Sequence, residues 1–284
     1  MADGSTLEAL FRKLKVLEDV PVGQLAGKMG TVVDLLTRLP VEVWFREQSS
    51  AHDTTFMAEL LLLATTKTLL ILDRGFYDFD FFALLIKQGT AFITWLKSNA
   101  FFVVTETLTD TNKVKDFVIF LGTGQNNTPV LKLRLIEVRF GKTWYRYITS
   151  VLDPTLLPPF VVADLYRRRW RIEEAFQTVK RLLDLSYLWT GSINGIQLQI
   201  WATWLFYAIL VDLGDAVADQ LGLPFDRISL EMLYRGFYHF SRTYNKGLAT
   251  DPVSYFADPV NQDLAIVKRL RKPIPRLDLS PFPI

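Results

Sequence analysis

Tyr166-Arg167-Arg168-Arg169-Trp170-Arg171-Ile172-Glu173-Glu174-Ala175-Phe176-Gln177-Thr178-Val179-Lys180 contains a Y-(2)-R-(3)-E-(6)-K spacing. On a helix advancing about 100° per residue, Tyr166 and Glu173 fall within roughly 20° of each other, as do Glu173 and Lys180, with Arg169 beside them. One face therefore carries a carboxylate flanked by cations. Ile172, Phe176, Val179 and Leu183 follow a 4, 3, 4 spacing on a neighbouring face, so the helix can dock on a core while turning Glu173 outward. A carboxylate so placed can hold a metal ion, and the bases around it can hold phosphates. The stretch points to phosphodiester chemistry.

Upstream of it, Gly27 to Leu36 and Val41 to Phe45 read as neighbouring strands around the Leu39-Pro40 break. A helical run from about His52 to Leu63 leads into Thr68-Leu69-Leu70-Ile71-Leu72, whose unbroken apolarity predicts a strand buried on both faces, with Asp73 emerging at its end. Phe79 to Lys87 is helical, Gly89 stops it, and Ala91 to Leu96 is a further strand. Strand, helix, strand is the order of an α/β sheet. From Phe101 to Val151 short strand-like runs alternate with turn clusters, which predicts a β-rich block. Helices are expected near Ile196–Val217 and Ser229–Arg242, followed by a proline-punctuated basic tail with Lys268, Arg269, Arg271, Lys272 and Arg276.

The 284 residues, half of them hydrophobic and 22% charged, suit a large globular domain. With no cysteine and only His52 and His239, thiolate zinc sites, cysteine nucleophiles and histidine-rich metal clusters are excluded. A metal would have to rest on carboxylates, which favours magnesium or manganese. A net charge of +2 means that any contact with nucleic acid must come from local basic clusters. The N-terminus has neither the basic nor the apolar region of a signal peptide, and Ile200 to Val211 is too short for a span, so a cytoplasmic protein with no membrane partner is expected.

Three acidic residues stand out by context: Asp3 in Asp3-Gly4-Ser5-Thr6, Asp73 in Asp73-Arg74-Gly75-Phe76, and Glu173. Carboxylates converging from separate elements are what two-metal phosphoryl transfer requires. Together with the β-rich block and the Y-(2)-R-(3)-E-(6)-K helix, these motifs resemble the DDE transposases of insertion-sequence-4 type over about residues 1–215. The resemblance implies an α/β fold, an RNase H-like mixed sheet with flanking helices, interrupted by a β-rich insertion and followed by a helical C-terminal part. It divides the chain into catalytic core at 1–98 and 154–218, insertion at 99–153, and a helical region with basic tail at 219–284. It further implies that Asp3, Asp73 and Glu173 bind two Mg2+ or Mn2+ ions. Tyr166, Arg169 and Lys180 would contact the DNA backbone or orient Glu173, and Trp144 or Tyr145 would stack on a flipped base. The implied partners are double-stranded DNA, as element terminal inverted repeats and as target, and a second copy in a synaptic dimer. The setting would be a bacterial cytoplasm, with the protein on the nucleoid when bound.

The chain also departs from that pattern. Gln177 stands where some relatives carry a second lysine, which turns a phosphate contact into a neutral hydrogen bond. Only Met1 and Ala2 precede Asp3, so a truncated chain is expected, lacking most of its first central strand and leaving neighbouring strands with an open edge. The alternative function is then a catalytically impaired remnant that only binds DNA or a full-length partner. His52 and Asp53, at the start of a helix, read as capping or surface residues, and Trp201 and Trp204 read as core.

Overall fold

A computed structural model describes residues 1–7, 27–48, 51–122, 128–186, 188 and 192–267. The basic tail from Lys268 lies outside the described residues. Strands β1 (Ala2–Thr6), β2 (Lys28–Val33) and β3 (Pro40–Arg46) form an antiparallel sheet in the order β1-β2-β3. β4 (Leu69–Ile71) runs parallel to β5 (Ala91–Trp95), and β6 (Phe102–Asp110), β7 (Val114–Leu121), β8 (Leu131–Phe140) and β9 (Thr143–Thr149) complete a second sheet ordered β4-β5-β9-β8-β7-β6. A parallel bridge between Ala2 and Leu72 joins the two sheets, so β1 and β4 are neighbours. The β-rich block therefore continues the sheet, with β9 hydrogen-bonded antiparallel to β5.

The sheet separates two cores because successive strand residues point to opposite faces. Ile71, Ile93, Ile136 and Tyr147 point to one face, under α3 (Pro159–Arg168), α4 (Trp170–Gln177) and α5 (Ile193–Leu221). Leu70, Leu72, Phe92, Leu135 and Ile148 point to the other, under α1 (Met57–Leu63) and α2 (Phe79–Gln88). β4 is buried on both sides, as its unbroken apolarity predicts. A third, smaller core joins the end of α5 to α6 (Leu230–Asn245) and α7 (Pro252–Ala257). A mixed sheet between helical layers, followed by a helical C-terminal part, is the RNase H-like architecture.

Two expectations need correction. The first strand is formed: Asp3-Gly4-Ser5-Thr6 supplies its length downstream of the aspartate, every residue of β1 pairs with β2, and the Met1 amine donates to the Val33 carbonyl. Trp204 is buried, but Trp201 is 53% exposed. The reason is helical phase. Ile196, Ile200, Trp204, Tyr207 and Val211 face the core, which leaves Leu198, Trp201, Leu205 and Ile209 on the outer side of α5. Length and composition alone would let α5 cross a membrane, yet its inner side packs into the sheet's core and Asp212, Asp215 and Asp219 interrupt its exposed side.

Candidate active site

Register brings the first two carboxylates together. Ala2 is bridged to Leu72 in parallel, so Asp3 and Asp73 leave adjacent strands side by side. Asp3 alternates with Ala2 and Asp73 with Leu72, both of which face α1 and α2, so the two carboxylates point to the face covered by α4. Asp73 also caps the short turn Arg74–Phe76, its Oδ2 accepting from the Gly75 amide at 3.4 Å.

Glu173 reaches the same place from the helix. At Arg169 the backbone tightens to i to i+3 bonds, Arg169 to Tyr166 and Ile172 to Arg169, which separates α3 from α4. A π-helical turn over Thr178–Leu182 follows α4. Ile172, Phe176 and Val179 are buried and Glu174 is exposed, so Glu173 is the carboxylate turned toward the strands. The Arg169 guanidinium lies among all three acids, 3.2 Å from Asp3, 3.3 Å from Asp73 and 3.8 Å from Glu173. It stands where a cation is needed.

Asp3 is 5% exposed, and burial, followed by the charges of Asp73 and Glu173, pushes its carboxyl up to about 8 against the pull of Arg169. A buried acid among acids calls for positive charge, and an all-oxygen donor set suits a hard divalent ion. One oxygen from each of Asp3, Asp53 and Asp73 lies within 4.8 Å of the others. Asp3, Asp73 and Glu173, gathered around Arg169, therefore fit a divalent metal. Asp53, expected to cap or to face solvent, belongs to this acidic cluster, whereas His52 is exposed. Sequence reading missed it because its approach depends on how the turn after β3 packs against β1 and β4.

The cations and aromatics divide by depth. Tyr166 is buried between Trp95 and Tyr147, with Arg169 over its ring, so it supports Arg169 from the core. Lys180 donates to Ser5 Oγ on β1, and burial pulls its ammonium below the usual lysine value. Asp73 is level with Trp95, which pairs with Tyr147, so Tyr145 and Trp144 lie two and three residues further along β9 at the same end of the sheet. Strand spacing puts Trp144 roughly 14 Å from the carboxylates. Tyr145 packs on Trp95 and Phe140, while Trp144 is half-buried with the Lys115 ammonium 5.5 Å from its ring.

Asp3 also predicts how stability depends on pH. Its carboxyl stays protonated in the folded chain up to about 8, but in the unfolded chain it ionises near 3.8, so raising pH between those values favours unfolding. The buried Met1 amine, lowered to about 6 from 8.0, acts oppositely between about 6 and 8. In EDTA, urea unfolding should therefore show, relative to Asp3→Asn, in which the Met1 contribution cancels, a loss of about 2–3 kcal/mol from pH 4 to 6 that continues toward pH 8. Equal slopes in the two proteins would refute the assignment.

Comparison with known proteins bears on the family to which the chain belongs. The family model described as Transposase DDE domain matches residues 24–209, a span that includes Asp53, Asp73 and Glu173. A Geobacillus stearothermophilus protein named as a transposase for insertion sequence element IS5377 is 24% identical over 173 residues, covering 59% of this chain and 45% of that protein. A Synechocystis protein named as a transposase for element IS4SA is 24% identical over 164 residues, 56% of this chain and 45% of its own length. A Sinorhizobium fredii protein named as transposase y4zB is 26% identical over 149 residues, 49% of this chain and 41% of its own length. The chain spans less than half the length of these relatives. With the matched segment covering most of the chain and two of the three acids on which the site is built, this protein belongs to the transposase DDE domain family.

Proposed function

We propose that this chain is the catalytic part of an insertion-sequence transposase, cutting DNA at element ends and joining the freed 3′-hydroxyl to target DNA. The observation that carries this reading is the convergence of Asp3, Asp73 and Glu173 from two parallel strands and a helix onto one cation, Arg169. These three carboxylates would hold Mg2+ or Mn2+, two ions in the fullest form of the reading. Bound there, divalent metal would activate the attacking oxygen and stabilise the leaving one. Arg169 would hand the carboxylates over and turn its planar fork to a DNA phosphate. Lys180, fixed on Ser5, would keep positive charge beside the same phosphate. Residues 99–153 extend the sheet beyond the acids, and Trp144 is a better candidate than Tyr145 for stacking on a displaced base because its ring is not packed into the core. The exposed apolar stripe Leu198, Trp201, Leu205 and Ile209 supports pairing with a second copy on DNA. A cytoplasmic, nucleoid-bound setting belongs to the same reading.

The test uses labelled duplex DNA bearing the inverted repeats that flank the coding sequence, with Mg2+, Mn2+ or EDTA. Metal-dependent cutting at the repeat end supports the proposal. Binding without cutting identifies a passive binder, and cutting without end preference identifies a general nuclease. Arg169→Gln should tighten Mn2+ binding by roughly tenfold, the worth of a charge-assisted contact, while slowing cleavage. Weaker Mn2+ binding in that variant would remove Arg169 from the cation's place.

A further inference from the structure

Asp53 begins the 3-10 turn Asp53–Phe56 at the foot of α1, far in sequence from both strand aspartates. Its carboxylate lies against two glycines, one from each aspartate motif. A Cβ on Gly4 would come within 2.1 Å of Asp53 Oδ1, and a Cβ on Gly75 within 1.9 Å of Asp53 Oδ2. Neither motif tolerates a side chain at its glycine while Asp53 is in place. The same two glycines hold the strand acids, since the Gly4 amide donates to Asp3 Oδ1 at 2.8 Å and the Gly75 amide to Asp73 Oδ2 at 3.4 Å. Asp53 thus touches the backbone that orients Asp3 on one side and Asp73 on the other.

The carboxylate is itself fixed. Lys28 on β2 lies 2.6 Å from Asp53 Oδ1 and donates to the Ala51 carbonyl at 2.6 Å, and both charged side chains are largely buried. Three residues on, Phe56 is fully buried over Gly30 and stacks on Trp44, which pins the turn to β2 and β3. The Lys28–Asp53 pair is neutral as a unit, so it adds little net charge to the acids it separates.

We propose that Asp53, clamped by Lys28, is a positioning residue: a wedge between Asp3-Gly4 and Asp73-Arg74-Gly75 that sets the spacing at which the two strand carboxylates face a divalent ion. The inference rests on the proposed function for its metal, and it assigns Asp53 its shape and its ion pair with Lys28 in place of ligation. It explains why each motif pairs its aspartate with a nearby glycine, because glycine leaves the space that Asp53 occupies.

The experiment compares two double variants of equal charge by Mn2+ titration with electron paramagnetic resonance, with circular dichroism melts as a control for folding. Lys28→Gln/Asp53→Asn keeps the wedge, and its Mn2+ affinity should stay within about threefold of the parent. Lys28→Gln/Asp53→Ala removes it at the same net charge, and its affinity should fall roughly tenfold or more, with a changed Mn2+ spectrum as the ligand geometry relaxes. Equal weakening in both variants would make Asp53 a ligand and overturn the wedge, as would an alanine variant that binds like the parent. Should the alanine variant not fold, Gly75→Ala, which presses a methyl group onto Asp53, must weaken Mn2+ binding, and unchanged binding there overturns the proposal. A parent chain that binds no Mn2+, or binds it equally after Glu173→Gln, refutes the proposed function instead.

Discussion

Glu173→Gln is expected to lower metal-dependent DNA cleavage by a factor on the order of 10³ while leaving the thermal midpoint within a few degrees of the parent. The two halves of this expectation have separate causes. Glu173 is the most exposed of the three acids, and its contact with Arg169, at 3.8 Å, is the longest in the cluster. Removing its charge leaves Arg169 paired with Asp3 and Asp73, so no buried cation is stranded and little stability is lost. The same change removes one of the charges that hold the Asp3 carboxyl up near 8, which lets Asp3 ionise more readily in the metal-free fold. Catalysis has no such compensation. In the proposed reading the Glu173 carboxylate is what would join α4 to the metal, and glutamine offers a neutral, weaker oxygen. Cleavage assays beside melting curves in EDTA separate the two effects, and a variant that keeps more than a tenth of parental cleavage would exclude Glu173 from the reaction.

Parts of this arrangement are legible in the chain before folding. The period of Ile172, Phe176 and Val179 places Glu173 beside the buried face of its helix and not within it, and the unbroken apolar run before Asp73 predicts a doubly buried strand with the acid at its end. Both depend on local periodicity, which sequence records directly. What could not be read depends on contacts between distant segments. Asp53 looks like a cap because its sequence neighbours are those of a helix start; only the approach of Gly4 and Gly75 makes it part of the site. Tyr166 and Glu173 share a helical face, yet the tyrosine ends between Trp95 and Tyr147 because β5 and β9 meet beneath it. Trp201 and Trp204, three residues apart in an apolar helix, look alike until the sheet selects which side is covered. The strand carrying Asp3 is hard to read from sequence because its pairing residues follow the aspartate and do not precede it.

Asp116→Ala is expected to destabilise the chain by about 3–5 kcal/mol, which lowers the folding equilibrium by roughly two to four orders of magnitude. Asp116 on β7 and Arg134 on β8 are 1% and 0% exposed, joined by two parallel bonds, Nε to Oδ1 at 2.7 Å and Nη2 to Oδ2 at 2.6 Å. The third guanidinium nitrogen donates to the Leu157 carbonyl at 2.7 Å. Truncating the aspartate leaves a buried cation with carbonyl partners alone, and that uncompensated charge dominates the loss. Removing both charges is different: Asp116→Leu/Arg134→Met should recover most of the stability, because well-packed apolar side chains often equal a buried ion pair. Function should not recover with it. Leu157 stands immediately before Pro158-Pro159, where α3 begins, and α3 leads through Arg169 into the helix that bears Glu173. Arg134 therefore ties the β-rich block to the helix that completes the acidic site. In the double variant the Leu157 carbonyl has lost its donor, so amide hydrogen exchange at the start of α3 should quicken and cleavage should stay below the parent at equal folded fraction. Urea unfolding of the four proteins in the cycle measures the coupling. Full recovery of cleavage together with stability would show that the pair serves the fold alone.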